Sequence, residues 1–292
     1  MALTQAQRLF ALEAKAAAQE IRVNALGVSW LALDARVRFL EARPGPMPVA
    51  PVWSCDFSKP LASYGWIEQS KAVGRASVVD TGRGKALRLH TEPGDNNVAS
   101  SGDMQRCDVY LAIPGSEAPL VFGEGEEQWW SLSVLFPDDF VFPTWHRYAL
   151  AGFHHTGSTG QGNFTLGFER GKLDTDPGIL GFQGYGGTQD QGRFGAPVGA
   201  VSRNVWYEFV YHVKWSATAG FFDAWMNGKR KLSHVGPTLY AGQGCYLKLA
   251  NYHSPLCDPY PACIGADPPS SVIYERVIRG TSAAAVALGT LE

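Results

Sequence analysis

The sequence lacks any apolar run long enough to cross a membrane. Its first residues also lack the apolar segment of a secretory signal peptide, because Glu13, Lys15, Glu20 and Arg22 interrupt them. Lys and Arg together number 25 and Asp and Glu 27, so no overall basic charge would attract nucleic acid. We therefore expect no membrane span and no nucleic-acid partner. A function outside the cell would require another exit route, such as a phage-like particle.

Cysteine is also scarce, with five residues whose spacing fits no standard zinc site. Cys257 and Cys263 flank a proline-containing loop and could form a disulfide or remain free thiols. Asp174 and Asp176 are candidate ligands of a calcium site, since Ca²⁺ prefers carboxylate oxygens. No other metal or cofactor is predicted.

Residues 1–43 differ in composition from the rest, since they are rich in Ala and Leu and contain no proline. Apolar residues recur with the 3.5-residue period of a coiled coil, interrupted only at Gln19. The a positions are Leu9, Ala16, Val23, Trp30 and Val37, and the d positions are Leu12, Gln19, Leu26, Leu33 and Leu40.

Charges beside this seam favour a parallel homo-oligomer through residues 8–41. Opposite charges would pair between neighbouring chains at Arg8–Glu13, Lys15–Glu20 and Arg36–Glu41. Trp30 is large for a dimer seam, which favours a trimer or a larger assembly. The alternative is one amphipathic helix packed on its own domain. Residues 44–51 contain four prolines and are predicted to be a stiff linker before a domain at 52–292.

From residue 52 onward the sequence pattern predicts β-strands separated by turns. Asn227-Gly228 after an alternating run predicts a hairpin. With almost no helical periodicity, the pattern indicates an all-β sandwich or jelly roll. The predicted strands include residues 86–90, 129–136, 148–153, 164–168, 206–215, 221–226, 246–252 and 272–278.

The sequences of several of these strands resemble strands of the polysaccharide lyases related to heparin lyase and glucuronan lyase. The resemblance covers about residues 52–282 and implies a concanavalin-like β-jelly roll. It rests on the order and spacing of five stretches: residues 206–216 ending in Lys-Trp-Ser, Trp225-Met-Asn-Gly228, Gly236-Pro-Thr238, Tyr246-Leu-Lys-Leu-Ala-Asn-Tyr252 and Ile273-Tyr-Glu-Arg-Val277.

The resemblance implies β-elimination on a uronic acid polysaccharide. This reaction needs a neutralised carboxylate, a base for the C5 proton and an acid for the leaving oxygen. Tyr252 is implied as the catalytic acid, or as acid and base together. Arg106 and Lys248 are candidates to neutralise the carboxylate, and His154 is a candidate base or neutraliser. Lys248 and Tyr252 lie four apart, so both face the same side of their strand.

Two positions depart from the family pattern. Gly152 stands where members of the family commonly carry Gln, and Ala250 replaces the usual Gly. The first change removes a hydrogen-bond donor for the carboxylate, which Gln161 or Asn163 would have to replace. The further candidates for substrate binding are Trp145, Tyr185 and Asn251.

Two readings of function therefore remain. In the first, an extracellular, oligomeric spike or fibre on a phage-like particle binds an acidic capsular polysaccharide and retains some cleavage. In the second, the chain is a true polysaccharide lyase. The Arg, His, Lys and Tyr set favours the lyase, and the coiled coil and Gly152 favour the spike. A purely structural virion protein is a third reading.

Overall fold

A computed structural model describes residues 50–96, 105–142, 148–157, 161–168, 178–188, 192–253, 268–286 and 289–292. Several predictions lie outside these residues and stay predictions. They are the coiled coil of residues 1–43, nearly all of the 44–51 linker, the binding role of Trp145, the calcium site at Asp174 and Asp176, and the disulfide between Cys257 and Cys263.

Fifteen β-strands form most of the described chain, as the alternation of apolar and polar residues predicts. Short helical turns occur at Leu61–Tyr64 and Ala283–Val286. The strands are β1 Trp53–Cys55, β2 Trp66–Gln69, β3 Ala76–Asp80, β4 Lys85–Thr91, β5 Gln105–Leu111, β6 Glu127–Leu135, β7 Tyr148–His155, β8 Phe164–Phe168, β9 Gly178–Gly184, β10 Phe194–Val201, β11 Trp206–Lys214, β12 Gly220–Met226, β13 Lys229–Gly236, β14 Cys245–His253 and β15 Ser270–Gly280.

The strands assemble into two antiparallel sheets. One has eight strands in the order β13-β12-β11-β6-β15-β4-β3, with β1 also paired to β15. The other has seven strands in the order β10-β9-β8-β7-β14-β5-β2. The prediction of an all-β sandwich is thereby confirmed. No helix in the described ranges is long and apolar enough to cross a membrane.

Aromatic side chains fill the space between the sheets. Phe164 of the seven-stranded sheet stacks on Phe222 of the eight-stranded sheet, with ring centroids 3.9 Å apart. Trp130 and Phe153 meet edge to face in the same layer. Burial of each such side chain stabilises the fold by about 1.5–3 kcal/mol. Because these rings face inward, the alternate residues of β5, β7 and β14 face outward on the seven-stranded sheet.

The predicted hairpin at Asn227-Gly228 is present. Met226 pairs with Lys229, and the two turn residues have φ values of 50° and 78°, the positive values that a two-residue hairpin turn requires. All eight strands predicted from the sequence are also found, with ends shifted by one or two residues at most.

We expect Gly228→Ala to destabilise the domain more than Gly82→Ala. Both glycines have positive φ, where an added Cβ costs roughly 1–2 kcal/mol. Only the Cβ at Gly228 would also lie 2.8 Å from a neighbouring oxygen, the carbonyl of Thr290, whereas the space around Gly82 is open. Urea unfolding of both variants measures the difference. Equal losses would show that the C-terminal segment yields to the methyl group.

Candidate active site

The outward face of the seven-stranded sheet collects the predicted catalytic residues. Strand pairing sets Arg106 opposite Tyr252, while Asp108 lies opposite Ala250 on the same two strands. Arg106, His154, Lys248 and Tyr252 all line one cavity of about 490 Å³. The structure therefore brings the four predicted residues to one cleft.

Asp108 lies at the centre of the charged groups in this cleft. Its Oδ2 atom accepts hydrogen bonds from Lys248 Nζ at 3.0 Å and from Arg106 Nε at 3.0 Å, and Arg106 Nη2 donates to the same oxygen. Lys248 Nζ also donates to Gln69 Oε1 at 2.9 Å. The Asp108 side chain is 1% exposed, so this carboxylate is removed from water.

Two cations around one carboxylate leave the cluster with a net positive charge. Burial lowers the pKa of Lys248, and the Asp108 carboxylate opposes that effect by favouring the ammonium form. Arg106 and Lys248 are 10% and 13% exposed, so they reach the cleft but cannot move far from Asp108. A surplus of positive charge in a cleft attracts an anionic ligand such as a uronate.

Tyr252 lies against this cluster. The guanidinium carbon of Arg106 is 4.8 Å from the centroid of the Tyr252 ring, and the ring is half-buried at the edge of the cleft. This cation–π contact holds the ring beside the charged cluster.

His154 occupies the opposite end of the cavity. It pairs with Tyr246, whereas Tyr252 pairs with Ala149, five positions away along β7. At about 3.3 Å per residue this separates the two backbones by about 16 Å. His155 is buried at 5% exposure, so only His154 faces the cleft, as strand alternation predicts.

The imidazole of His154 is neutral at neutral pH. Nδ1 lies 2.9 Å from the carbonyl oxygen of His155, and since a carbonyl only accepts, Nδ1 carries the hydrogen. Although the ring is open to the cleft, displacement of water by the surrounding protein lowers the pKa of His154 to about 4, and the charges of Lys248 and Arg106 lower it further. Nε2 can therefore accept a hydrogen bond but cannot donate one. This geometry fits an acceptor for a sugar hydroxyl better than a neutraliser of a carboxylate.

Close strand packing explains the glycine at position 152. A Cβ there would collide with the carbonyl oxygen of Phe164 on β8, so a glutamine could not be placed without moving that strand. The cleft therefore has no side-chain amide at this point. Gln161, which also lines the cavity, carries a side-chain amide.

Two of the predicted binding residues do not face the cleft. The Asn163 side chain is fully buried and donates to the carbonyl oxygens of Tyr185 and Thr238. The Asn251 side chain is also fully buried and donates to Leu89 O at 3.1 Å and Ser270 O at 2.9 Å. Both amides hold the protein together, so the structure does not place them in contact with a substrate.

A second cavity, of about 700 Å³, extends the cleft across β8, β9 and β10. It shares Gln161 and Thr165 with the first cavity, so the two form one groove. Tyr185, a predicted binding residue, lines this part, and Arg193 is the one charged residue in the lining that the structure describes. The lining includes the small residues Gly167, Gly181 and Gly195.

Gln69 and Arg193 were not predicted as site residues, and neither was the central position of Asp108. Asp108 lies two residues from Arg106 and so shares its face of the strand. Gln69 and Arg193 carry no signal in the sequence, since only the fold brings them to the groove.

The fold and the groove define a two-sheet β-sandwich with an anion-attracting cleft on one sheet. A model of the polysaccharide lyase family matches residues 57–276, and the chain belongs to that family. A comparison with curated protein sequences gives no significant match.

Solved structures share the fold at low sequence identity. The endo-β-1,4-glucuronan lyase from the fungus Trichoderma reesei superposes with a TM-score of 0.58 and 17% identity, covering 81% of this chain and 98% of the lyase. Alginate lyase Aly36B superposes with a TM-score of 0.50 and 14% identity, covering 84% of this chain and 99% of the lyase. These likenesses support the family's sandwich fold.

We expect Asp108→Asn to destabilise the domain by about 3–5 kcal/mol, because Arg106 and Lys248 would be left as unpaired buried cations. The second substitution Lys248→Met should restore part of this loss by removing one of those cations. Asp80→Asn is the control, since Asp80 forms an exposed ion pair with Lys85 and should change stability little. Denaturant unfolding measures all three. A loss at Asp108 no larger than that at Asp80 would contradict the central role of Asp108.

Proposed function

We propose that this protein is a polysaccharide lyase that cleaves a uronic acid polymer by β-elimination. The observation that carries the proposal is the Arg106–Asp108–Lys248 cluster beside Tyr252 in one cleft. Membership of the polysaccharide lyase family supports the same reaction class.

The chemistry follows from these groups. Arg106 and Lys248 would bind the sugar carboxylate, and their positive charge would stabilise the negative charge that develops when the C5 proton leaves. The Tyr252 phenolate would take that proton, and the C5–H electrons would form the double bond between C4 and C5 as the C4–O bond breaks. The Tyr252 phenol would then return the proton to the leaving oxygen.

His154 and Gln161 would bind sugars next to the cleaved one. His154 Nε2 would accept a hydrogen bond from a hydroxyl group, as its neutral form allows. The small residues of the second cavity leave room for further units of the polymer. Since Arg193 adds a positive charge there, we propose that the polymer is acidic over several units.

Binding without cleavage is the second candidate, and the missing amide at Gly152 favours it. In that case the cleft would hold the same acidic polysaccharide as an adhesin. The predictions that residues 8–41 form a trimer or larger oligomer, and that a phage-like particle carries the chain, fit either candidate and remain predictions.

The elimination assay separates the two candidates. The purified protein is incubated with glucuronan, alginate and heparin, and ultraviolet absorbance of the unsaturated product is followed. We expect a rise with at least one polymer and its loss in Tyr252→Phe, which cannot exchange a proton. Tyr110→Phe is the control, because Tyr110 lies on the same face but donates its hydroxyl to Glu117 O. No rise, with polymer still retained on immobilised protein, would favour the adhesin.

We expect Arg193→Gln to raise the KM for long polymer about fivefold, as one partly exposed charge pair is worth about 1 kcal/mol or less. β10 lies four strands from β14, about 19 Å at the usual spacing, so oligosaccharides too short to span that distance should be unaffected. Arg230→Gln, an exposed substitution on β13, is the control. An equal effect on short and long substrates would contradict an extended groove.

A further inference from the structure

A β-bulge interrupts the pairing of β14 with β7 next to Tyr252. Leu249 pairs with Ala151 and Tyr252 pairs with Ala149, so Ala250 and Asn251 together stand opposite Leu150. On its other side β14 pairs regularly with β5, without any shift. The irregularity therefore lies on the β7 side of Tyr252.

The bulge decides which residue of β7 lies beside Tyr252. Without the extra residue, Tyr252 would be opposite Tyr148, whose ring is fully buried in the core. With it, Tyr252 is opposite Ala149, a small residue that lines the cleft. Bulges commonly redirect a side chain beside an active site, at the cost of leaving backbone groups unpaired.

Tyr274, on β15 of the opposite sheet, provides a hydrogen-bond donor for the backbone at the bulge. Its hydroxyl oxygen lies 2.6 Å from the carbonyl oxygen of Leu150 and 2.7 Å from that of Ala250, the residues on the two sides of the bulge. The side chain is 0% exposed, so water does not compete for these carbonyls. The one hydroxyl hydrogen is donated to either carbonyl or shared between them.

Asn251 fixes the same bulge from within. Its amide donates to Leu89 O and Ser270 O on β4 and β15, and its Oδ1 accepts a hydrogen bond from the Tyr148 hydroxyl. Both residues that precede Tyr252 are thus bonded to the eight-stranded sheet or to the side chains that it presents.

We propose that Tyr274 is a positioning residue for Tyr252. Its hydroxyl, with the Asn251 amide, holds the bulge and so keeps Tyr252 beside Ala149 and Arg106. The proposal deepens the proposed lyase function and rests on it for its catalytic consequence. Because a displacement of about 1 Å can cost on the order of 100-fold in rate, this contact across the sandwich would govern turnover without touching substrate.

Tyr211 provides a matched control. It is another tyrosine with 0% exposure between the two sheets, but its hydroxyl has no hydrogen-bond partner among the described residues. Tyr211→Phe and Tyr274→Phe thus remove the same atom from the same core. The two variants differ because only the hydroxyl of Tyr274 contacts the backbone at the bulge.

The first test is kinetic. We expect Tyr274→Phe to lower kcat about 10-fold to 100-fold with KM within about twofold of wild type, and Tyr211→Phe to change neither. Assays are run well below the unfolding temperature of each variant, so that lost stability does not imitate lost catalysis. If Tyr274→Phe does not fold, Tyr148→Phe removes the hydrogen bond to Asn251 Oδ1 and is expected to act in the same direction.

The second test does not depend on activity. Tyrosines carrying ¹³C in the ring are observed by NMR, and the Tyr252 signal is assigned from its absence in Tyr252→Phe. We expect this signal to shift or split in Tyr274→Phe and to stay in place in Tyr211→Phe. A wild-type protein that cleaves nothing would count against the lyase, while the Tyr252 signal would still decide the positioning. An unchanged signal in Tyr274→Phe, or a kcat equal to that of Tyr211→Phe, would overturn the proposal.

Discussion

The candidate site of this protein depends on one buried carboxylate. Asp108 is removed from water by the sheet, and a buried charge is stable only when it is paired and hydrogen-bonded. It therefore holds Arg106 and Lys248 in fixed positions, although free side chains of both types are long and mobile. The cost of burying three charges is offset by these contacts, and the result is a rigid positive site. Tyr252 gains its cationic neighbour because Arg106 is held in this way.

The sandwich supports this site from behind. The aromatic layer between the sheets fixes β5, β7 and β14, while Tyr274 and Asn251 cross from one sheet to the other at the bulge beside Tyr252. The geometry of the proposed site and the packing of the core are therefore joined at the same strand. The groove beyond the site is built differently, since several glycines on β8 to β10 are among the residues that line it.

Much of the fold could be predicted because half-buried strands alternate, and the strands with strong alternation, such as 206–215, were found. β9 and β10 were among the strands not predicted, because glycine interrupts their pattern. Of the site, Arg106, His154, Lys248 and Tyr252 were located through family resemblance, and parity along β14 explains why Lys248 and Tyr252 share a face. The same alternation places Asn251 in the core, so it is not the substrate-binding residue predicted from the sequence. Gln69 and Tyr274 reach the site from distant parts of the chain, so no local pattern could have shown them.

A structure of the Tyr252→Phe variant with a uronate oligosaccharide tests the central claim most directly, since the variant should bind substrate without consuming it. The account predicts a sugar carboxylate within hydrogen-bond distance of Arg106 or Lys248, with C5 of that sugar facing the position of the missing hydroxyl. An oligosaccharide bound with its carboxylate turned away from these cations, or bound outside the groove, would contradict it.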